Sequence, residues 1–309
     1  MSIIESWYII INPRAGQGKG KKRWISLEKS LIEKGISYSS SYTEYKGQSS
    51  FIVRQAVEQG FRKFICIGGD GSFHHLVNGL SNSNIPATEV ELLIVSAGTG
   101  NDFARNYNMP RGNEILDLID NGDRHIQDLG TVTYQVDGEN QKSFFHNFAG
   151  AGFDSYVIKN NSNLKWLGAS SYMFSIFTSF LSYSNKHCLI NAGGDIIEGK
   201  IYMMLASVGT YCGGGMRINK NAVTDDGLLD LLIARDINKL DVALNVSSLY
   251  NGSISSHPKV YTRQVEQLSI IPKDILSVEA DGELLGIAPS EIKIVPKALK
   301  VLIPRDFRS

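Results

Sequence analysis

Residues 64–80 read FICIGGDGSFHHLVNGL. Phe64 to Ile67 is a compact apolar run of the kind found in buried strands, while Phe73, Leu76, Val77 and Leu80 recur at helical spacing. Between them lies Gly68-Gly69-Asp70-Gly71-Ser72, a turn by composition. Strand, glycine loop and helix in succession make half of a β-α-β unit. Glycines let the backbone adopt positive φ and come close to a ligand. A helix start offers unpaired N–H groups and a positive dipole end, which suits phosphate. Asp70 would then stand where a phosphate sits, and this requires a cation, magnesium or lysine, between the two. The alternative reading is a tight turn with a capping aspartate.

The pattern repeats on both sides. Trp7 to Ile11 reads as a strand, Asn12-Pro13-Arg14-Ala15-Gly16 as a turn, and Lys19 to Lys34 as a helix with Trp24, Leu27 and Leu31 on one face. Ile36 to Thr43 follows as a strand, Ser49 to Gln59 as a helix and Leu92 to Val95 as a fourth strand. Repeated β-α units imply a mostly parallel sheet covered by helices, with ligands at the carboxyl ends of the strands. Glycine clusters fall after Ile11, Ile67 and Val95, so three loops should converge on one edge. In the third, Gly98-Thr99-Gly100-Asn101-Asp102, Asn101 or Asp102 is expected to cap a short helix leading to Tyr107. Gly16, Gly18 and Gly20 follow GxGxG, not the dinucleotide GxGxxG, and Ala15 and Lys22 break the Walker pattern. A nicotinamide oxidoreductase using Glu44 as its ribose-binding acid is therefore a weak competitor.

Beyond about residue 125 strands dominate: Thr131 to Val136, Ser143 to Phe148, Ile201 to Val208, Leu228 to Ala234, Gln267 to Ile271 and Ile275 to Glu279. Many are joined by turns, which suggests antiparallel sheets in a sandwich. Helices are expected over Ala169–Tyr183 and Leu240–Tyr250. Strands near Ile292–Val295 and Val301–Ile303 could pair within either domain.

Composition narrows the function. The 309 residues are 42% hydrophobic and 20% charged, which fits a globular chain with real cores. Lys plus Arg equals Asp plus Glu, 31 of each, so no global charge draws the chain to nucleic acid. Lys19, Lys21, Lys22 and Arg23 form a local basic run, read equally well as a solvated helix face. Cys66, Cys188 and Cys212 lack CxxC spacing, which gives no zinc or disulfide framework, and Cys66 reads as a core residue. Ser2 to Ile11 lacks the marks of a signal peptide, and the apolar stretch from Tyr172 to Tyr183 is too short to span a bilayer. The expected location is the cytoplasm, with any membrane contact peripheral.

The chain resembles the diacylglycerol kinase catalytic-domain family, in the bacterial branch that includes sphingosine-kinase-like and YegS/BmrU-like lipid kinases. The resemblance rests on Asn12-Pro13-x-x-Gly16, Thr43 with its following glycine turn, Gly68-Gly69-Asp70-Gly71-Ser72 with Val77-Asn78-Gly79-Leu80, and Gly98 through Arg105. It continues in Asp128-Leu129-Gly130, Asn147-x-x-Gly150-x-Gly152-Phe153-Asp154, Gly213-Gly214-Gly215-Met216, Asp226-Gly227-Leu228-Leu229-Asp230 and Asp281-Gly282-Glu283. It implies a Rossmann-like α/β nucleotide-binding domain over 1–127, a β-sandwich lipid-substrate domain over 128–292, and a C-terminal tail, about 293–309, returning to the first. It implies an ATP- and magnesium-dependent kinase that phosphorylates a hydroxyl of diacylglycerol, a long-chain base or a similar lipid.

By the same resemblance, Asn12, Pro13, Arg14, Ala15, Gly16, Thr43, Gly68, Gly69, Asp70, Gly71, Ser72, Phe73, His74 and Thr99 hold the nucleotide. Asp281 and Glu283 match the catalytic acidic pair. Asp281 is favoured as base and Glu283 as a metal holder, with the roles open to exchange. A hairpin turn is the competing reading of Asp281-Gly282. A structural magnesium would take the Asp226 carboxylate and the carbonyls of Val223 and Leu228. Expected partners are a lipid substrate and a transient membrane contact, with a homodimer compatible and no nucleic acid.

The chain departs from the family pattern at Ser72, where threonine is usual, and at His74-His75, where Asn-Glu is usual. The lost glutamate leaves room for weakened catalysis. The paired histidines read as a polar helix face before they read as a metal site. Alternatives are a kinase of a soluble acceptor such as NAD, and an ATP-binding protein without turnover. The residues from Tyr172 to Phe180 offer apolar surface for an acyl chain.

Overall fold

The computed structural model describes residues 3–162, 179 and 182–308. The helix expected over Ala169–Tyr183 lies almost wholly outside the described residues. The chain divides into two compact units, 1–128 with 296–309, and 129–295.

The first unit is built on the β-α repeat. Strands β1 (Ile4–Ile11), β2 (Tyr38–Tyr42), β3 (Phe61–Gly68) and β4 (Glu91–Ser96) alternate with helices α1 (Ala15–Glu33), α2 (Gln48–Gln59) and α3 (Asp70–Ser81). The strands pair in parallel in the order β2-β1-β3-β4. The apolar runs that announce them fill the core: Ile9, Ile11, Phe64, Ile65, Ile67, Leu93 and Val95 are all fully buried. The strand order reverses direction between β1 and β3, and in such sheets ligands sit at the carboxyl ends of the strands beside that reversal. Short helices α4 (Asp102–Asn106) and α5 (Leu118–Asn121) complete this part of the chain.

Helix α3 packs closely on α2 because Gly79 leaves room: a Cβ there would lie 2.5 Å from both the Ser50 carbonyl oxygen and Val53 Cγ1. Gly79→Ala should therefore cost about 1–3 kcal/mol, read as a lower denaturant midpoint at unchanged m.

Strand β5 (Asp123–Val136) leads from the first unit into the second. There follow β6 (Glu139–Phe145), β7 (Phe148–Gly152), helix α6 (Phe153–Ser162), β8 (Lys186–Ala192), β9 (Asp195–Ser207), the hairpin β10 (Tyr211–Cys212) and β11 (Met216–Arg217), and β12 (Leu229–Arg235). Helix α7 (Lys239–Asn251), β13 (Val260–Val265), β14 (Gln267–Pro272), β15 (Ser277–Ala280), β16 (Glu283–Ile287) and β17 (Ser290–Ile303) complete the chain. Within the second unit the pairings are antiparallel and form a β-sandwich. Its core gathers Phe145, Ile190, Met204, Ile233, Ile270, Val278 and Ile292.

Two expectations are corrected. The strand expected over Ser143–Phe148 is two strands broken at His146 and Asn147, whose N–H groups turn to a carboxylate described below. The two final strands are one, β17. Its early part pairs with β14 in the second unit, and Val301 pairs with Leu92 of β4 in the first. Lys293, Pro296 and Lys297 interrupt the apolar run, and Lys297 takes φ 49° while donating its N–H to Asp128 at 2.6 Å.

Candidate active site

In the first unit the three glycine loops meet. After β1, Asn12 spans the gap: its Nδ2 donates to Ser72 Oγ at 2.8 Å and its Oδ1 accepts from the Arg14 N–H at 3.1 Å. Thr43, after β2, joins the same edge by donating its N–H to the Ile11 carbonyl at 2.8 Å. The Ala97 N–H reaches the Gly68 carbonyl at 2.7 Å. Asp70 accepts from the Phe103 N–H at 3.2 Å, which ties the β3 loop to α4. Gly98 and Asn101 exchange two hydrogen bonds, at 2.9 and 3.0 Å, and close the third loop on itself. The Asn101 side chain is thereby spent, so it does not cap α4 as expected.

Backbone packs against backbone where these loops touch, most tightly at Gly16 and Gly98. A Cβ on Gly16 would lie 2.2 Å from the Ala97 carbonyl oxygen, one on Gly69 3.0 Å from Gly98 Cα, and one on Gly98 2.6 Å from Gly69 Cα. Gly16, Gln17 and Gly18 have φ of 56°, 61° and 91°, so α1 opens with a left-handed turn and its right-handed helix runs from Lys19, as expected. Backbone lines the loops, and amide dipoles in such loops suit an anion.

Not every expected residue faces the loops. Phe73 and His74 are buried; the Phe73 ring packs on Phe103 at 4.5 Å. His74 leaves the polar face expected of it, and its Nε2 lies 3.3 Å from Asn78 Nδ2. Thr99 is exposed. Arg23 leaves the basic run: its guanidinium binds the Gly112 carbonyl and Asn113 Oδ1, and burial lowers its pKa. Burial pushes the Cys66 thiol up to about 12, in keeping with an inert core residue.

In the second unit Asp281 and Gly282 form the turn between β15 and β16, with φ of 50° and 81°. Both central residues at positive φ match a two-residue hairpin. The Asp281 carboxylate is buried. Its Oδ1 accepts from the Asn147 and Phe148 N–H groups at 3.0 and 3.1 Å, and its Oδ2 from the His146 N–H at 3.1 Å. His146 Nε2 lies 3.5 Å from the same Oδ2. Glu283, two residues on, is only half-buried.

A second carboxyl pair underlies this turn. Glu279 Oε2 accepts the Gly282 N–H at 2.8 Å and faces Asp154. Burial, then the neighbouring Asp154 charge, raises the Glu279 pKa well above its ordinary value, and burial raises Asp154 to about 6. In the unfolded chain both ionise at ordinary values. The folded state therefore loses relative stability as pH rises from the unfolded values through the raised ones. Glu279→Gln keeps an acceptor for Gly282 and removes the titration. Its unfolding midpoint should exceed wild type at pH 7.5 and match it near pH 4, read by thermal melts at both. Sequence reasoning missed Glu279, and it assigned no role to Asp154 or to the 146–148 amides. The Asn147–Asp154 motif was the available signal.

The Asp226 carboxylate accepts from the Leu228 N–H at 3.0 Å and from Gln264 Nε2 at 3.4 Å, while Val223 is exposed in the same loop. Among the described residues no three His, Cys, Asp or Glu side chains gather as a metal cluster. No helix among them is long and apolar enough to cross a membrane.

Comparison with known proteins agrees with this architecture. Residues 6–132 match the diacylglycerol kinase catalytic domain, and residues 147–303 the YegS C-terminal NAD kinase beta sandwich-like domain. The chain is 26% identical to a Bacillus subtilis diacylglycerol kinase over 303 residues, covering 96% of each. It is 30% identical to the Pseudomonas fluorescens protein named "Probable lipid kinase YegS-like", covering 84% of this chain and 83% of that one. Its fold matches a solved Bacillus anthracis diacylglycerol kinase at TM-score 0.70 and 18% identity, covering 97% of each chain. It also matches yeast NADH kinase complexed with NADH at TM-score 0.56 and 9% identity, covering 98% of this chain and 84% of that one. The chain belongs to the diacylglycerol kinase catalytic-domain family of lipid kinases, with a YegS-type C-terminal domain.

Proposed function

We propose that the chain transfers the γ-phosphate of ATP, with magnesium, to a hydroxyl group of a lipid. The observation that carries this reading is the meeting of glycine loops after β1, β3 and β4, where a Cβ on Gly16 or Gly98 would fall within 3.0 Å of facing backbone. Such a cradle suits a polyphosphate and rejects a bulky side chain. Asn12 and Ser72 brace it, and Asp70 has one oxygen committed to Phe103 and a second that suits a cation.

Glu283 is the better base of the acidic pair. A base must reach the acceptor hydroxyl, and Asp281 spends both oxygens on three amides within the protein. Asp281 instead fixes the turn that presents Glu283. Magnesium, when bound, neutralises phosphate charge. The oxygen donors of Asp226 and the Val223 and Leu228 carbonyls fit a hard cation, with water completing the shell.

The yeast NADH kinase likeness favours one competitor, a soluble dinucleotide acceptor. ATP consumption with magnesium, measured side by side with dispersed diacylglycerol, a long-chain base and NAD, separates the two. Turnover with a lipid alone supports the proposal. Turnover with NAD alone, or ATP binding without turnover on any acceptor, refutes it.

A further inference from the structure

Helix α7 is apolar where a surface helix is ordinarily polar. It is firmly built: Asn238 and Asp241 form a reciprocal capping box at its start, and Gly252 ends it in a left-handed cap. Val242 and Leu249 pack inward against apolar clusters. Its outer side carries Leu240, Ala243, Leu244, Ser247 and Tyr250, at the spacing of one helical face. Leu240, Leu244 and Tyr250 are 66%, 72% and 57% exposed, and Val246 beside them is 47% exposed. Lys239 and Asp241 are the only charged residues of the helix, and Lys259 Nζ lies 2.5 Å from Asp241 Oδ2.

The charges round this face are mostly of one sign. Lys239 stands at its start. Arg217 and Lys220, both exposed, flank its end: a Cβ on Gly252 would lie 3.2 Å from Lys220 Cβ and 3.6 Å from Arg217 Cδ. Asp236, just before the helix, is the exposed exception.

We propose that this face of α7 docks on an anionic phospholipid bilayer. The inference rests on the lipid-kinase reading, which requires the chain to reach an acceptor embedded in lipid. Aliphatic side chains with a tyrosine at one end, flanked by lysine and arginine, match the chemistry of a helix lying in the headgroup layer. An anionic surface complements the flanking cations, whereas a two-fold contact with a second copy would bring like charges together.

The test is flotation of the full chain with vesicles of phosphatidylcholine alone and of phosphatidylcholine with phosphatidylglycerol. Wild type should float with the anionic vesicles, lose binding at high salt, and bind neutral vesicles at least about tenfold more weakly. Leu240→Ser/Leu244→Ser/Tyr250→Ser should lose binding about tenfold or more with an unchanged melting temperature. Arg217→Glu/Lys220→Glu should weaken binding to anionic vesicles alone. The triple variant should also lose activity on vesicle-embedded acceptor while keeping it on a monodisperse short-chain one. Triple-variant binding equal to wild type, equal binding to both vesicles, or a wild-type dimer that the triple variant dissolves without any vesicle binding would overturn the proposal. Flotation needs no turnover, so failure of the kinase reading shows separately, as no phosphorylation of either acceptor.

Discussion

Glu283→Gln should lower kcat by about a thousandfold, within the range of a lost general base, while ATP affinity and melting temperature stay near wild type. The replacement is isosteric and the site is half-buried at the start of β16, so little packing changes. Asp281→Asn should behave differently. The carboxylate accepts three amides through two oxygens, and an asparagine must turn an NH2 donor towards at least one of those donors. Leaving a buried donor unmatched costs about 1–3 kcal/mol. Loss of stability together with activity in Asp281→Asn, but of activity alone in Glu283→Gln, separates the anchor from the base. Paired thermal melts and steady-state kinetics read it directly.

Gly69→Val should weaken ATP binding by about a hundredfold, equivalent to about 2.7 kcal/mol. The first added carbon already lies 3.0 Å from Gly98 Cα and 3.7 Å from Gly98 N, both backbone atoms, and valine adds two methyl groups beyond it. The third loop must move, and with it the amides that would face a phosphate. Far-ultraviolet circular dichroism should stay unchanged, because Gly69 precedes α3 without lying inside it. Calorimetric titration with ATP and magnesium gives the affinity, and wild-type affinity in the valine variant would remove this loop from the nucleotide site.

The parts legible in the sequence are those where one residue type has one physical use. Ile9 to Ile11 and Phe64 to Ile67 are apolar on every position, and they fold as strands buried in a parallel sheet. The glycine clusters mark the loops that meet. What the pattern hides is direction. Gly16 and Gly18 read as a GxGxG run that fits no dinucleotide fingerprint, but the left-handed turn they make with Gln17 is visible only in the folded chain. Phe73 and His74 share a motif with Ser72, yet the helical period turns the first two inward and leaves Ser72 against Asn12. Asp281-Gly282 admitted both a turn and a catalytic acid. The turn is present, and the aspartate is anchored by amides over 130 residues away in sequence, beyond the reach of local pattern. Glu279 was hidden likewise, because a buried carboxyl at a strand end reads as an ordinary polar position until Asp154 is placed opposite it.

One measurement bears most directly on the account: the transfer of labelled γ-phosphate from ATP to an organic-soluble lipid product, with magnesium and with chelator. Label should enter the lipid phase with wild type and magnesium, and fall to background with chelator and with Glu283→Gln. Label that stays wholly in the aqueous phase for every lipid alcohol offered, or that enters the lipid equally with the glutamine variant, would contradict it.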